Sequence, residues 1–567
     1  MPFRHFRLRG SSTLLLRIYR SHGWLLLSLL SALLLILTFP EPGIEWLGWI
    51  ALAPLFLVVQ RERISRVLFA GLVSGVLFNL VYISWMKEYK HPAALSGGVF
   101  GELVFFMGAV LLCTALVRGN RGPRSRVLRP LLLTAGWMCV DYLKTVGFLG
   151  FPWGILGYAL YENTALIQNA SLFGVWGVDF LMLYANAAVA GVLDPVPAGG
   201  PAGEPESPST RPPAGIGGGG AGSRGAALRL LHPFLALFLT AGALAYGYGQ
   251  LQREPAGVET TRVALVQGNF DPWSPRLGEN LSTQFTLTRR ALRRDPDLVV
   301  WSESSVPFFY RPSLRRNDPY ALLVDRFIRD AGVPLVFGSL DRERAGGPEA
   351  GDRRHAGGSP ESGAALYNVA VYYREGRIQG VYRKIRLVPF GEWFPYERLF
   401  PFVKTILERA GAGDFTPGEE YTLFQGEGYL FNVLICYEDV FGSLARQFVR
   451  RGSSLLVNIT NDAWTGSRKA EIQHYAKSVF RAVENRRSLV RAANGGVTAC
   501  VDPYGRPLGM LEPFTEDFLV CDVPVYRNRT TLYTRTGDAA AWAAVFCSVA
   551  LLARTFLLWV LRKRAPG

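Results

Sequence analysis

The sequence predicts an α/β domain fused to a bundle of about eight transmembrane helices. Three observations predict it. Apolar runs fill the first 250 residues and recur near the C-terminus, at lengths suited to crossing a bilayer. Arginines gather in alternate connections between those runs. Between the last two runs lies a segment, 261–525, in which short β-branched strands alternate with amphipathic helices. The size, 567 residues with 49% hydrophobic side chains, allows both parts.

Residues 1–22 form a basic N-terminus with Arg4, Arg7, Arg9, Arg17 and Arg20. Gly23 to Phe39 then carry no charge, and no small-x-small cleavage site follows, so the run reads as a retained signal-anchor helix. Further runs at Glu45–Val59, Val67–Met86, Val99–Val117, Leu128–Val146 and Leu172–Leu193 complete six helices over 23–193. A seventh follows at 228–249 and an eighth at 539–560. The second run is short, and the fifth is interrupted by Asp141 and Lys144. Residues 194–227, rich in Gly, Pro and Ala, read as a disordered linker. Gly346 to Gly363 has the same character and reads as a long exposed loop.

Charge sets the orientation. Arg61, Arg63 and Arg66 share one loop, Arg118 to Arg129 another, and Arg562, Lys563 and Arg564 close the chain. With the N-terminus inside, all are cytoplasmic, 194–227 is cytoplasmic, and 261–525 lies on the outer face. The formal net charge of +16 fits this topology and attraction to anionic lipid; no nucleic-acid motif accompanies it. Glu102, Asp141, Lys144 and Asp179 fall in or near membrane runs, where both a functional and an interfacial placement stay open. The six cysteines are scattered, so metal ligation is not expected. Cys500 and Cys521 sit in strand-like runs and read as unpaired core residues.

In the soluble segment, Thr261–Gln267 reads as a first strand and Leu277–Arg294 as an amphipathic helix. The strand Asp297–Trp301 leads to Glu303, and a helix near Ala321–Ala331 precedes the strand Val333–Ser339. Tyr367–Tyr373 and Arg377–Tyr382 read as a hairpin about Glu375-Gly376. Phe431–Ile435 is a buried strand that ends at Cys436, and Ser454–Thr460 leads to Asn461. A helix at Ala470–Arg486 and a returning strand at Leu489–Val501 follow.

Three strand ends carry the chemistry. A cysteine at a strand end, such as Cys436, is by itself better explained as a small core residue. Glu303 and Lys384 at two other strand ends change that reading. A thiol is mostly protonated at neutral pH and needs a base such as Glu303. The oxyanion of a tetrahedral intermediate needs a fixed cation such as Lys384. Glu, Lys and Cys in this arrangement suit acyl transfer.

At Val266-Gln-Gly-Asn269, Trp301-Ser-Glu303-Ser, Lys384 through Leu387-Val-Pro-Phe-Gly-Glu392, Ile435-Cys-Tyr-Glu438, Asn461-Asp-Ala-Trp464 and Arg491-Ala-Ala-Asn494, the sequence resembles the nitrilase superfamily. With Phe151-Pro-Trp153, it is similar to that superfamily's membrane-bound branch, the apolipoprotein N-acyltransferase family. The resemblance implies a four-layer αββα sandwich. It implies Cys436 as nucleophile, Glu303 as base and later acid, and Lys384 as oxyanion donor. Glu392 and Glu438 match active-site positions and would orient the ammonium, with a surface ion pair as the alternative. Tyr437, Trp464 and Asn461-Asp462 would shape the pocket, Trp464 being equally well read as core. Trp153 is expected to face outward beside the membrane, as a substrate contact. His474 reads as structural.

The resemblance further implies a phospholipid acyl donor, a diacylated apolipoprotein acceptor and a thioester intermediate in the bacterial inner membrane; no cofactor and a monomer are expected, and the charge pattern puts the catalytic domain in the periplasm. A membrane-anchored amidase with water as acceptor is the rival reading, but one helix would anchor it. A non-enzymatic scaffold is the third, against which Glu, Lys and Cys together speak.

Overall fold

The computed structural model describes residues 11–564 apart from 90–93, 121–122, 148, 195–218, 254–257, 275, 345–363, 395–412 and 528–529. The loop read at Gly346 to Gly363 and most of the predicted linker therefore lie outside the described residues. From Gly219 onward, the end of that linker is instead the start of a helix.

The first half is helical. α1 (Ser11–Thr38), a 3₁₀ turn (Glu45–Trp49), α2 (Ala53–Arg61), α3 (Ile64–Tyr82), α4 (Ala94–Gly119) and α5 (Pro123–Leu143) come first. The short α6 (Thr164–Ile167) and α7 (Ala170–Phe173) precede α8 (Val175–Leu193) and α9 (Gly219–Leu251). Among the described residues, five helical stretches are long and apolar enough to cross a membrane: Ile64–Tyr82, Ala94–Gly119, Val175–Leu193, Leu230–Leu251 and Ala539–Leu561. Their outward residues include Phe234, Phe238, Phe546 and Phe556, an apolar surface of the kind that lipid covers.

The second predicted run is not one helix. α2 has nine residues, about 14 Å of rise, too short to cross a bilayer alone. The 3₁₀ turn and α2 together run beside α8, tied to it by Asn186. That side chain accepts from Leu52 N and Ala53 N (2.7 and 3.0 Å) and donates to Gly48 O. The fifth run is a helix, but it carries Pro130 and Asp141 and is not among the five.

The bundle has two unlike ends. At one, Arg61 and Arg129 meet Asp194, Arg118 donates to Glu62 O and Arg554 to Asn120. At the other, Val175 N and Trp176 Nε1 meet Glu484 and Asp538, and Lys469 reaches Val81 O. The strand-rich domain sits at this second end.

That domain holds two sheets. β1 (Thr260–Gln267), α10 (Leu277–Leu292), β2 (Leu298–Trp301), β3 (Val306–Phe309), α11 (Tyr310–Arg315), α12 (Pro319–Ala331), β4 (Leu335–Arg344), β5 (Ala364–Arg374) and β6 (Arg377–Arg383) build the first. β7 (Phe424–Gln425), β8 (Leu430–Ile435), α13 (Gly442–Arg450), β9 (Leu455–Asn461), α14 (Arg468–Asn485), β10 (Ser488–Asn494), β11 (Ala499–Val501) and β12 (Pro507–Met510) build the second. β13 (Asp517–Pro524) returns to the first, and α15 (Leu532–Thr536) and α16 (Ala539–Arg564) end the chain. The strand orders are β13-β1-β2-β4-β5-β6, with β3 on β4, and β12-β11-β10-β9-β8-β7. The returning strand predicted at Leu489–Val501 is two strands, β10 and β11, broken at Gly495-Gly496.

Local chemistry fixes these elements. Asp318 caps α12 by accepting from Tyr320 N and Ala321 N, Pro319 opens it, and Gly332 ends it at φ +70°. Glu375 (φ +55°) and Gly376 (φ +73°) make the tight β5–β6 turn. Alternate residues of β1 and β2 face opposite ways. Ala264, Val266, Val299 and Trp301 pack with Phe285 of α10 and Phe327 of α12. Val263, Leu265, Leu298 and Val300 join the core that holds β8 to β10. The parallel strands β8, β9 and β10 are buried almost throughout, and α14 is buried from Ala470 to Asn485 between them and the helical half. Cys500 and Cys521 are buried and free.

Candidate active site

Glu303, Lys384 and Cys436 each follow a strand. Glu303 lies in the turn after β2, where Ser304 has φ +56°. That turn packs on β4 at Gly338, where a Cβ would stand 2.6 Å from Glu303 Cα, so only glycine fits. Lys384 follows β6, its N–H donating to Asn368 O at 2.9 Å. Cys436 follows β8 and opens a 3₁₀ turn, Cys436–Val440, with φ +52°. A non-glycine residue there is in a sparsely populated conformation that the surroundings must hold.

Glu438 holds it. Its Oε2 accepts from Ile435 N at 2.8 Å, while Oε1 accepts from Ile385 N (2.7 Å), Arg386 N (3.0 Å) and the Tyr382 hydroxyl (2.8 Å). The carboxylate thus ties the Cys436 turn to the segment after Lys384. This corrects the expectation that Glu438 orients the ammonium: all four bonds go to backbone and Tyr382. Burial pushes its pKa up to about 7, against the opposing hydrogen bonds.

Glu392 does meet the ammonium. The Pro389–Glu392 turn returns the carboxylate so that Oε1 accepts from Lys384 Nζ (2.8 Å) and Oε2 from Val388 N (2.8 Å). Lys384 is 1% exposed, so this is no surface pair. Lys384 Nζ is also 3.5 Å from Glu303 Oε1. Asn368 Nδ2 donates to Glu303 Oε1 (2.8 Å) and Glu392 Oε1 (2.9 Å), and Asn461 N donates to Glu303 Oε2 (2.9 Å). Burial alone would lower the Lys384 pKa; Glu392, Glu303 and Cys436 raise it above the usual lysine range, so it stays an ammonium. Burial pushes Glu303 up, Lys384 opposes this, and Glu392 adds to it. Burial also pushes the Cys436 thiol well up, reinforced by Glu303 and opposed by Lys384. A thiol held in this way needs a neighbouring base.

Sequence reasoning missed a second network beneath Cys436. Arg491 Nη1 donates to Asp439 Oδ2 and Nη2 to Asp462 Oδ2, each at 2.5 Å. His474 bridges the same carboxylates, Nε2 to Asp439 Oδ1 (2.8 Å) and Nδ1 to Asp462 Oδ1 (3.0 Å). Arg491 Nη1 also donates to Asn458 Oδ1 (2.6 Å), and Asn458 Nδ2 donates to Cys436 O at 3.3 Å. Burial would raise both aspartates, but His474 and Arg491 outweigh it and hold them below the usual range. Asn368 was missed too; a polar residue inside an apolar strand was its signal.

The aromatic residues are placed differently from expectation. Trp153 is 4% exposed, not outward-facing: its ring stacks on Phe151 (4.4 Å) and on Tyr437 (5.9 Å), with Lys477 Nζ 3.9 Å above it. The closure of the loop onto Tyr437 buries it. Trp464 is half-buried, edge-on to Trp273 at 4.8 Å. Asn461 Oδ1 accepts from Asn494 Nδ2 at 2.9 Å, which fixes the segment behind Glu303. Glu303, Lys384, Glu392, Asn368 and Asn461 thus form one buried polar cluster, with Cys436 within electrostatic reach of Glu303 and Lys384, and Trp153 stacks on Tyr437, the residue after Cys436.

Comparison with known proteins agrees with this division of the chain. The model for the apolipoprotein N-acyltransferase N-terminal domain matches residues 31–188, and that for carbon-nitrogen hydrolase matches 262–533. The apolipoprotein N-acyltransferase of Geobacter metallireducens is 34% identical over 94% of this chain and 95% of its own length. Apolipoprotein N-acyltransferase 1 of Treponema pallidum is 35% identical over 96% and 98%. Among solved structures, a mutant of the Nesterenkonia AN1 amidase from the nitrilase superfamily is similar at 23% identity and TM-score 0.34, over 48% of this chain and 92% of that one. By the extent and identity of these matches, the two-part chain of membrane helices and nitrilase-like domain belongs to the apolipoprotein N-acyltransferase family.

Proposed function

We propose that this protein transfers an acyl chain from a membrane phospholipid, through a thioester on Cys436, to the α-amine of the diacylglyceryl-cysteine that begins an apolipoprotein. The convergence of Glu303, Lys384 and Cys436 in one buried cluster, on the side of the domain that meets the bundle, is the observation that carries it. Glu303 takes the thiol proton as sulfur attacks the ester carbonyl. The oxyanion forms beside the Lys384 ammonium, which Glu392 holds in place, its carboxylate in turn accepting from Asn368. Collapse breaks the ester C–O bond, and the leaving alkoxide takes the proton from Glu303. The acceptor's amine, as the free base, then attacks the thioester and gives a proton to Glu303. The C–S bond breaks, and that proton returns to sulfur. The enzyme ends as it began, and each step forms and breaks one bond at the acyl carbon.

The bundle supports lipid as substrate: both partners keep their chains in the bilayer, and a helix bundle abutting the pocket can receive them. We further propose that the two sheets with their flanking helices form four αββα layers. Eight passages would cross the membrane, one of them the broken segment at Glu45–Arg61. The arginine-rich end would be cytoplasmic and the catalytic domain periplasmic in a bacterial inner membrane, following the positive-inside rule. Trp464 would contact substrate, and the working unit would be a monomer. Mass spectrometry of a diacylated lipoprotein N-terminus, after incubation with protein and phospholipid, tests the reaction. An added amide-linked acyl chain is expected; hydrolysis of the phospholipid alone would favour the amidase reading.

A further inference from the structure

A buried ion cluster around Lys144 has no part in the acyl-transfer scheme. Lys144 follows α5 and is 5% exposed. Its Nζ stands 3.5 Å from Glu102 Oε2 of α4 and 3.4 Å from Asp141 Oδ1, and donates to Trp153 O at 2.5 Å. One hydrogen bond to a carbonyl and two carboxylates at ion-pair distance hold the ammonium between α4, α5 and Trp153. The Lys144 carbonyl also accepts from Phe151 N at 2.9 Å. Both ends of the loop 144–154 are therefore closed by one residue.

The far side of this loop meets the nucleophile's neighbour. The Tyr437 hydroxyl donates to Gly150 O, and the Trp153 ring stacks on Tyr437 within 15° of parallel. Next to Trp153, Gly154 has φ +72° and donates its N–H to the Tyr82 hydroxyl of α3 at 3.1 Å; a Cβ there would stand 3.6 Å from Lys144 Nζ. Tyr437 directly follows Cys436, whose own backbone is held at φ +52°. A path of contacts thus runs from α4 and α5 through Lys144, Trp153 and Tyr437 to the reactive turn.

Such a cluster is a costly way to join helices, because apolar side chains of similar size pack as well or better. The cost is visible in the adjoining cavity, lined by Asn79, Glu102, Asp141, Lys144, Phe78 and Trp137. Among the described residues, Asp141 Oδ2 and both polar atoms of the Asn79 side chain have no hydrogen-bond partner. What the cluster supplies, and packing alone does not, is a directed bond to a single carbonyl.

We propose that Lys144, oriented by Glu102 and Asp141, is a positioning residue that clamps the 144–154 loop against Tyr437 and so holds the Cys436 turn ready for the lipid ester. The inference rests on the acyl-transfer reading. Its test uses full-length protein and two chemistries at the same sulfur. Lys144→Met should slow acylation of Cys436 by phospholipid about ten-fold or more, as small misplacements of a reacting group do. Alkylation of Cys436 by iodoacetamide, which depends on the thiol and its base, should change by less than about two-fold. Lys144→Arg should restore part of the acylation rate. Near-ultraviolet circular dichroism reads the clamp without substrate: Lys144→Met should lose the aromatic signal that Trp153→Phe also loses. Because Lys144→Met leaves two carboxylates without their cation, the neutral triple variant E102Q/D141N/K144M is measured beside it, and the same pattern is expected. A folded triple variant that acylates at the wild-type rate would overturn the clamp, as would equal loss of acylation and alkylation, or an unchanged aromatic signal. If wild-type protein forms no adduct with phospholipid, the acyl-transfer reading fails instead, and the aromatic signal alone decides the clamp.

Discussion

Two buried ionic clusters flank Cys436, and they differ in how completely they are paired. In the Arg491 cluster, Asp439 and Asp462 share a bidentate guanidinium and a bridging imidazole, and each of their four oxygens has a partner. Their pKa values are held down, so their charges are fixed. In the Lys384 cluster, two carboxylates share one ammonium, and the shorter contact goes to Glu392. Glu303 is left with the longer one, and burial, with Glu392 beside it, pushes its pKa up against Lys384. A cluster balanced in charge holds structure, whereas one short of a cation keeps a group that can take a proton.

The largest effects should come from breaking the short-handed cluster. Glu303→Gln should leave the fold intact and lower acyl transfer by roughly 10³-fold or more, because the thiol then has no base. Lys384→Met should lower it by about 10²- to 10³-fold, the usual cost of one oxyanion donor. Single-turnover rates with phospholipid would check both. In the balanced cluster the damage should be to folding: Arg491→Met leaves two buried carboxylates short of a cation and should cost about 3–5 kcal/mol, read by denaturant unfolding in detergent. A stable Arg491→Met with lost activity would erase the distinction.

Two smaller effects follow from pH. Glu303 must be ionised to act as base, and its pKa is raised, so activity should fall with decreasing pH at a midpoint above the ordinary glutamate value of 4.5. A pH profile of kcat/KM with its acid limb at or below that value would contradict this. The His474 pKa is also raised: burial lowers it and Arg491 opposes protonation, but Asp439 and Asp462 outweigh both. A raised folded-state pKa contributes stability that is complete below the unfolded value, 6.5, and is lost as pH rises through the folded value. Thermal unfolding should therefore show a decline above pH 6.5 that His474→Gln lacks.

The strand ends were legible because a β-branched run followed by one reactive residue is a local pattern; Glu303, Lys384 and Cys436 needed no knowledge of the fold to be noticed. Which way a side chain turns is not local. Glu438 lies two residues from Cys436, yet its 3₁₀ turn aims it at backbone groups rather than at Lys384. Trp153 was misplaced because aromatics beside membrane runs usually sit at the interface, and only the loop's closure onto Tyr437 buries it. α14 has the composition of a surface helix, with Lys477, Arg481 and Glu484, but a sheet on one side and the bundle on the other bury it. The broken run at Glu45–Arg61 was hidden because hydropathy counts apolar residues and does not see that Asn186 satisfies an interrupted backbone.

The central claim is that Cys436 carries the acyl chain between two half-reactions. Purified protein incubated with phospholipid alone, without acceptor, tests it most directly. Peptide mass spectrometry should find a hydroxylamine-sensitive acyl adduct on Cys436, absent in Cys436→Ala, formed much more slowly in Glu303→Gln, and discharged when a diacylated peptide is added. An unmodified Cys436, in protein that acylates the acceptor at full rate once it is supplied, would contradict the account.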